Sequence, residues 1–364
     1  MTGSRLLVGN LLGEDDLARL LHAGDPRRRR ERPPSQTVLR TASRLATFLR
    51  AFAREGDRLW TPAPVDPEEL PQVPGVPIPI LESGPLERIE PAEEVLAWCE
   101  TPAAAALRTR PRDPGVPWDA PLQEILWRLP TAPPSVVARV HHRAFHLQIA
   151  EELGCALPGA RMVDSLGELD RTLSSSEAPA SWVVKAPLSA SGRERYIERN
   201  GPHLAEPKSR HTVERLFERH GPLLFEPWLD RIADYGCAVL LTEAGMRIAS
   251  LHSQRVDLKG QFSGIDLEGF DLPAPDRERM DEVVEGVARA LCREGYAGPF
   301  GIDAWSYRRP DGGIAFHPLG EINARMTFGL VAQTLAERDG GYSASRFPGS
   351  GFQAVAASFS AVKR

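Results

Sequence analysis

The stretch FHPLGEINARMTFG, residues 316–329, carries three polar side chains at alternate positions: Glu321, Asn323 and Arg325. Alternate residues of a β-strand lie on the same face of the sheet. A strand here would therefore present a carboxylate, an amide oxygen and a guanidinium side by side. Because antiparallel strands with one solvated face have the same pattern, it indicates either a solvated face or a site for a metal ion and a phosphate.

A further acid, Asp303, lies upstream in another predicted strand, and the turn sequence PDGG, residues 310–313, separates the two strands. A hairpin about this turn would bring Asp303 close to Glu321 and Asn323. Two carboxylates and an amide provide the hard oxygen ligands that Mg²⁺ prefers, but they are too few to enclose the ion. The set therefore predicts a metal ion shared with a nucleotide, and Arg325 would neutralise a phosphoryl group or an acyl phosphate.

Lys185 is one of only four lysines in a chain with 44 basic residues. It ends the apolar segment SWVVK and precedes the loop SASGRER, which is rich in small residues. Lysine is a compact charge that binds phosphate oxygens, and a loop containing glycine can close over phosphates and exclude water. Lys185 is therefore a candidate phosphate ligand, and a structural lysine at a strand end is the alternative.

The segment PLLFEPWLD, residues 222–230, predicts an apolar strand that breaks at Glu226. Pro227 removes a donor from the strand ladder and leaves backbone groups free at this point. Those groups would be available to hydrogen-bond the edge of an adenine, and either Asp230 or Asp234 would take the ribose hydroxyls. The alternative for Glu226 is an ordinary surface acid.

In this order, the features resemble the ATP-grasp superfamily of carboxylate–amine and carboxylate–thiol ligases. The resemblance covers roughly residues 135–330, and its specificity comes from the ordered set of short motifs. It implies an α/β (α+β) fold in which an N-terminal α/β domain precedes a two-lobed unit that holds the nucleotide between two antiparallel sheets. The expected boundaries are residues 1–134 for the N-terminal domain, 135–227 for the small lobe with its lid loop, and 228–364 for the C-terminal lobe with the metal site.

The resemblance also implies a role for each matching residue. Lys185 and Arg143 would contact the α- and β-phosphates, with Arg143 standing where many members have a lysine. A lid from Ser189 to Asn200 would cover the phosphates, with Ser191 and Gly192 binding the nucleotide. The other implied roles are adenine binding by Glu226 and by the backbone of Leu229, ribose binding by Asp234, coordination of one or two Mg²⁺ ions (or Mn²⁺) by Asp303, Glu321 and Asn323, and catalysis at the γ-phosphate and acyl phosphate by Arg325 together with Lys185.

The rest of the sequence predicts the elements that position these residues. SRLLVG predicts a buried strand followed by a helix, and Asn10 lies at the carboxyl end of that strand, where it could reach a ligand. TVLRTASRLATFLRAFAREG and SVVARVHHRAFHLQIAEELG each predict one amphipathic helix, and residues 276–295 predict a third. YGCAVLLTEAGMRIASLHSQRVD predicts a hairpin in which Arg255 could pair with a substrate carboxylate or with an acid of the fold. His317 is expected to pack beside the acids, and a catalytic base is the alternative.

Composition limits the function classes. The formal net charge of −5 gives no overall basic field, so nucleic-acid binding is not expected, and the run RRRRER, residues 27–32, predicts a solvated loop. No apolar run is long enough to span a membrane, and the N-terminus lacks a secretory pattern, so we expect a cytoplasmic protein. The four cysteines are too dispersed for a metal site or a disulfide framework. P-loop and nucleophile-elbow motifs are absent.

Together these features predict an ATP- and magnesium-dependent ligase that joins a carboxylate to an amine, or to a thiol, through an acyl phosphate, with ADP and phosphate as products. The expected partners are small molecules of amino-acid or peptide-like type, and the pattern leaves open whether the chain forms a homodimer. Two alternatives keep the same nucleotide site: a small-molecule kinase and a non-catalytic ATP-binding regulatory protein. None of the motifs identifies the acid or the nucleophile.

Overall fold

In the residues that it describes, the computed structural model has three sheets with helices packed against them. Within the part of the chain that it describes, no helix is long and apolar enough to cross a membrane. The described residues are 4–22, 33–70, 73, 75–110, 115–189, 194–199, 201, 203–204, 206–256 and 262–338. The predicted loop at residues 27–32 lies outside them.

The first sheet is parallel, with the strand order β3-β2-β1-β4. Its carboxyl edge is fixed by Asn10, whose Nδ2 donates to the backbone oxygen of Cys99 at 2.7 Å and whose Oδ1 accepts from the Cys99 amide at 3.0 Å. Asn10 therefore ties two strand ends together. The elements of this unit are β1 (Arg5–Val8), β2 (Arg58–Thr61), β3 (Ile80–Ser83), β4 (Glu94–Ala97), α1 (Gly13–Leu21), α2 (Gln36–Ala46), α3 (Pro102–Ala106) and α4 (Leu122–Arg128).

The second sheet is antiparallel, with the order β5-β8-β6-β7. Its buried residues, among them Trp182 and Phe225, form a hydrophobic cluster separate from the main core. A unit with its own core can move as a body relative to its neighbours. Its elements are β5 (Arg161–Val163), α7 (Leu166–Leu173), β6 (Trp182–Lys185), β7 (Arg195–Glu198), α8 (Pro207–His220) and β8 (Leu223–Pro227).

The third sheet is also antiparallel and has the order β11-β10-β9-β12-β13. Its buried face shares one hydrophobic core with the helices of the N-terminal unit, because Leu49 and Val239 belong to the same cluster. The elements are α5 (Pro134–His141), α6 (Arg143–Glu152), β9 (Asp230–Thr242), β10 (Gly245–Val256), β11 (Phe262–Asp266), α9 (Ala274–Arg293), β12 (Gly298–Arg308), β13 (Ile314–Asn323) and α10 (Phe328–Arg338).

The prediction of one helix through SVVARVHHRAFHLQIAEELG is wrong, because the chain breaks at His142. The backbone of His142 is extended (φ −72°, ψ 133°), and its Nδ1 accepts from the amide of Ala144 at 3.1 Å. The side chain thus caps a new helix, α6, in the way that N-cap residues do. As a result, Arg143 becomes the first residue of α6 and its amide donates to the oxygen of Pro187 at 3.0 Å.

The predicted helix TVLRTASRLATFLRAFAREG is also shorter than expected. Helix α2 ends at Ala46, and the chain continues as a 3₁₀ helix from Thr47 to Phe52. The hydroxyl of Thr47 donates to the oxygen of Arg44 at 2.6 Å. Such local side-chain bonds compete with the α-helical backbone pattern, which explains the tighter turn at this point.

Both predicted hairpins are present. Strands β9 and β10 turn between Thr242 and Gly245, and β12 and β13 turn through residues 309–313. In the second turn, the Asp311 side chain accepts from the amide of Gly313 at 2.8 Å. Aspartate commonly stabilises a turn in this way.

Gly320 on β13 leaves room for the ring of Trp305. A Cβ at residue 320 would lie 1.8 Å from Cζ3 of Trp305, whose side chain is buried. We expect Gly320→Ala to lower the free energy of unfolding by at least about 1–3 kcal/mol, as overpacked core substitutions do. Urea denaturation would measure this loss.

Gly167→Ala is the matched control, because a Cβ there would meet only the flexible end of Arg171, at 4.0 Å. Gly167 lies within α7, where alanine is favoured over glycine by roughly 0.5–1 kcal/mol. Equal destabilisation by the two substitutions would contradict the packing explanation.

Candidate active site

The β12–β13 hairpin places two acids and an amide together, and we call Asp303, Glu321 and Asn323 the acidic wall. Asp303 lies opposite Glu321 in the strand register. Oδ2 of Asp303 accepts from Nδ2 of Asn323 at 3.0 Å, and its Oδ1 accepts from Nε2 of Gln254 on β10 at 2.7 Å. Burial and the nearby carboxylate of Glu321 raise the pKa of Asp303. A cation bound between Asp303 and Glu321 would reduce the repulsion between their carboxylates.

The acidic wall fits a hard cation that takes part of its coordination shell from elsewhere. Among the described residues, no group of three or more His, Cys, Asp and Glu side chains could hold a metal ion. The donor atoms of the wall are all oxygens from two carboxylates and one amide, which are the ligands of Mg²⁺ or Ca²⁺ rather than of Zn²⁺. An ion here would need further oxygens from water or phosphate.

Arg325 lies just beyond the end of β13 and is still bound to the acidic wall. Its Nη2 donates to Oδ1 of Asn323 at 3.0 Å, and its Nη1 donates to the oxygen of Met326 at 3.0 Å. Its Nε donates to Oε1 of Glu14 at 2.6 Å. Burial opposes the positive charge of Arg325, but the Glu14 carboxylate outweighs it and raises the pKa of the guanidinium.

Arg143 connects the acidic wall with the second sheet. Its Nη2 donates to Oε1 of Glu321 at 2.7 Å. Its Nη1 donates to the oxygen of Ala186 and to Oγ of Ser189, the latter at 3.2 Å. Burial would raise the pKa of Glu321, but Arg143 and then Lys185 lower it to about 2. Glu321 is therefore ionised at neutral pH.

Lys185 and Glu226 form a buried ion pair between the neighbouring strands β6 and β8. Nζ of Lys185 donates to Oε2 of Glu226, and the side chains are 12% and 6% exposed. Burial raises the pKa of Glu226, yet Lys185 more than offsets this and the pKa is lowered. Burial lowers the pKa of the adjacent His146 to about 4 and that of His317 to about 3, so both imidazoles are neutral at pH 7.

The link between the two antiparallel sheets is short. Strand β8 ends at Pro227 and β9 begins at Asp230, so Trp228 and Leu229 form the connection. The amide of Trp228 donates to the oxygen of Ser181 at 2.8 Å, and the oxygen of Leu229 accepts from the amide of Arg231 at 3.1 Å. The linker is thus attached to both sheets by its backbone.

The two candidate ribose ligands, Asp230 and Asp234, differ in how deeply they are buried. The side chain of Asp230 is 76% exposed and its Oδ2 lies 3.7 Å from Nε of Arg308. Asp234 is buried, and its Oδ1 accepts from Nη1 of Arg231 at 3.0 Å. Asp234 also pairs in register with Gln254, the residue that contacts the acidic wall.

Two further expectations have mixed outcomes. Ser191 and Gly192 lie outside the described residues, as do positions 190, 193 and 200 of the predicted lid. Of the described part of that lid, Arg195–Glu198 forms strand β7, which pairs with β6. Arg255 donates from Nε to Oδ2 of Asp266 at 2.7 Å on an exposed surface, which supports the structural ion pair rather than the substrate contact.

His252 gives a pH-dependent prediction. It is buried on β10 with Nδ1 3.1 Å from Oγ of Ser250, and burial lowers its pKa to about 4. Because the unfolded imidazole titrates near 6.5, the unfolded chain binds more protons between these values, and stability falls as the pH drops from about 6.5 to about 4. We expect this single group to account for a loss on the order of 3 kcal/mol.

Urea unfolding of wild type and His252→Gln at pH 7 and pH 4.5 would test this. The substitution should reduce the difference in stability between the two pH values, whereas His211→Gln, on the exposed face of α8, should leave it unchanged. An unchanged pH dependence in His252→Gln would contradict the assignment.

Two residues of the site were missed at the level of sequence. Glu14 lies in the first turn of α1, immediately after the carboxyl end of β1. Ligands and functional groups often lie at that edge of a parallel sheet, so its position was a usable signal. Gln254 contacts Asp303 from a different hairpin, and no local pattern marks that contact.

No protein-family model matches the sequence, and no curated protein is significantly similar to it. Among solved structures, the biotin carboxylase domain of the 2-oxoglutarate carboxylase of Hydrogenobacter thermophilus, solved with ADP, magnesium ADP and bicarbonate, is 14% identical; the match covers 93% of this chain and 70% of that chain at a TM-score of 0.52.

Two further structural matches have TM-scores below 0.5. D-alanyl-alanine synthetase A from Vibrio cholerae is 13% identical, with 99% of this chain and 100% of that chain covered at a TM-score of 0.49. The L-amino acid ligase of Bacillus licheniformis is 14% identical, with 88% and 67% covered at a TM-score of 0.47. The match to the biotin carboxylase domain confirms the predicted fold class.

Proposed function

Because the chain has the ATP-grasp fold, we propose that it is an ATP- and magnesium-dependent ligase that joins a carboxylate to an amine, or to a thiol, and releases ADP and phosphate. The main support is Arg143, which contacts Glu321 of the acidic wall and, in the segment that follows β6 of the second sheet, Ala186 and Ser189. Lys185 of the second sheet also lowers the pKa of Glu321, so its charge acts on the acidic wall of the third sheet. The domain bounds proposed with this function are residues 1–134, 135–227 and 228–364, although α5 and α6, which lie in the second of these ranges, pack with the third sheet.

The proposed nucleotide ligands are already held in position by carboxylates. Arg143 and Lys185, now bound to Glu321 and Glu226, would exchange these partners for the α- and β-phosphates. Once released, Glu226 would face the adenine together with the backbone of Leu229. Asp234 would take the ribose hydroxyls, because its rival Asp230 is exposed.

Asp303, Glu321 and Asn323 would hold the metal ion. Magnesium bound there would neutralise the phosphate charge and supply electrophilic assistance to phosphoryl transfer. The side-chain amide of Asn323 already lies beside Asp303, because its Nδ2 donates to the carboxylate. To bind the ion, Oδ1 of Asn323 would have to turn away from Nη2 of Arg325.

The substrate carboxylate would attack the γ-phosphorus of ATP, so that a P–O bond forms as the bond to ADP breaks. The amine would then attack the acyl carbon and expel phosphate. Arg325, bound to Asn323, would stabilise negative charge at the γ-phosphate and the acyl phosphate. Positioning of the reactants can supply roughly 7–11 kcal/mol of the barrier, and exclusion of water would protect the acyl phosphate.

Trapping the activated acid tests this function directly. The protein would be incubated with ATP, Mg²⁺, hydroxylamine and each of a panel of carboxylic acids, including amino acids. Formation of an acyl hydroxamate with equal amounts of ADP and phosphate supports the ligase. A phosphorylated small molecule without free phosphate would instead identify a kinase, and tight nucleotide binding without turnover would identify a regulatory protein.

A further inference from the structure

A buried carboxylate of the N-terminal unit holds Arg325. The Nε–Oε1 distance between Arg325 and Glu14 is 2.6 Å, and the two side chains are 16% and 1% exposed. The residues are 311 positions apart in the chain. Burial would raise the pKa of Glu14, but Arg325 and His141 outweigh it and lower the pKa, so the carboxylate is ionised.

The three nitrogens of the Arg325 guanidinium have three different acceptors. Nε binds Glu14, Nη1 binds the backbone oxygen of Met326, and Nη2 binds Oδ1 of Asn323. Because a guanidinium is planar with donors in fixed directions, this set determines both its plane and its rotation. Glu14 is the member that carries a full negative charge.

The position of Glu14 is itself fixed by close packing. Gly13, the preceding residue, lies so near the segment that follows β4 that a Cβ there would be 2.6 Å from Cβ of Cys99. On the other side, Nε2 of His141 at the end of α5 is 3.8 Å from Oε1 of Glu14, and its Nδ1 accepts from the amide of Ala324 at 3.1 Å. Helix α1 is thereby held against the segment that follows the acidic wall.

We propose that Glu14 is a positioning residue that acts through Arg325, so that the N-terminal unit sets the direction of the arginine that meets the transferred phosphoryl group. This inference rests on the proposed function, which places Arg325 at the γ-phosphate. It goes further in assigning part of the catalytic geometry to α1, outside the two lobes that would hold the nucleotide. Glu14 itself touches no substrate in this proposal.

The test compares two nucleotides that differ at the γ-phosphate. Affinities for AMP-PNP and ADP, with Mg²⁺, would be measured for wild type, Glu14→Gln, Arg325→Ala and the double variant. Glutamine keeps the shape of the side chain but removes the charge. We expect Glu14→Gln to weaken AMP-PNP about tenfold relative to ADP, and to add nothing further in the Arg325→Ala background, since residues acting as a unit are not additive.

Two other variants complete the design. Glu14→Asp keeps the charge on a side chain shorter by one methylene and should recover part of the preference for AMP-PNP. If Glu14→Gln does not fold, Glu14→Asp replaces it in the cycle, with a smaller loss of that preference expected. Asp16→Asn removes a carboxylate from the same turn of α1 and should behave as wild type.

An unchanged AMP-PNP preference in the Glu14 variant, with the preference lost in Arg325→Ala, would overturn the inference and leave the proposed function standing. Independent, additive losses would also overturn it. Absence of any nucleotide binding by the wild type would reject the proposed function, and the inference with it.

Discussion

Glu321→Gln is expected to lower magnesium-dependent ATP turnover by about 10²–10³-fold, because the ion that Glu321 would hold is the group that neutralises charge on the phosphates. Glu321 pairs in register with Asp303, and Arg143 holds its pKa far below the usual range. It therefore contributes a permanent negative charge to the acidic wall. A neutral amide keeps the size of the side chain but removes that charge. Initial rates of ADP formation at saturating and limiting Mg²⁺ would measure the change.

The matched control is Glu285→Gln, which removes an exposed carboxylate from α9. It should keep wild-type turnover, and both variants should keep wild-type circular dichroism. Glu321→Gln is expected to need more Mg²⁺ for turnover, because the acidic wall loses one charged ligand. Its affinity for metal-free ADP should not fall, because Arg143 is freed from its carboxylate partner and can still bind phosphate. Full activity in Glu321→Gln would contradict the proposal that the acidic wall holds the metal ion.

The hairpin of the acidic wall could be predicted because its signals are local. A turn sequence of Pro, Asp and Gly separates two strands with alternating polar residues, and alternation fixes which side chains share a face. The short loop sets the register from Arg308–Ile314 to Trp305–His317. The pairing of Asp303 with Glu321 depends in addition on a register shift between Asp303 and Trp305, which no local pattern in the sequence marks. The β9–β10 hairpin was predictable from local signals of the same kind.

The helix break at His142 had no comparable signal. Hydrophobic periodicity continues through SVVARVHHRAFHLQ, and histidine is an uncommon N-cap. The break is stabilised instead by contacts of the folded chain, including the bond from the Arg143 amide to Pro187. Tertiary contacts therefore overrode the local pattern and created the helix start that carries Arg143.

The sequence alone also could not predict which charged side chains of the site form ion pairs with each other. Lysine at the end of a strand and glutamate at the start of a linker were each recognised, but as ligands of different parts of a nucleotide. In the folded chain, Lys185 and Glu226 neutralise each other on adjacent strands. Burial makes such compensation necessary, yet burial depends on the packing of the whole lobe.

Lys185→Met should therefore lower the stability of the fold and raise the pKa of Glu226. Methionine fills much of the same space, but the buried Glu226 carboxylate loses its counter-charge. Breaking a buried pair in this way costs about 3–5 kcal/mol, and the pKa of Glu226 should rise because burial is then less opposed. The loss of stability relative to wild type should be largest above pH 7, where the carboxylate is ionised, and smaller in mild acid, where it takes up a proton. Urea unfolding across this pH range would show the trend.

The double substitution Lys185→Met with Glu226→Gln separates fold from function. Removing both charges should restore most of the stability, because well-packed neutral residues often replace a buried ion pair at little cost. Nucleotide affinity should not return, since Lys185 is the proposed ligand of the α- and β-phosphates. Titration with Mg-ADP would measure it, with Lys208→Met, on the first turn of α8, as the control for loss of a lysine elsewhere in the lobe. If the double variant bound ADP as tightly as wild type, Lys185 would be a structural residue and the phosphate contacts would have to come from Arg143 alone.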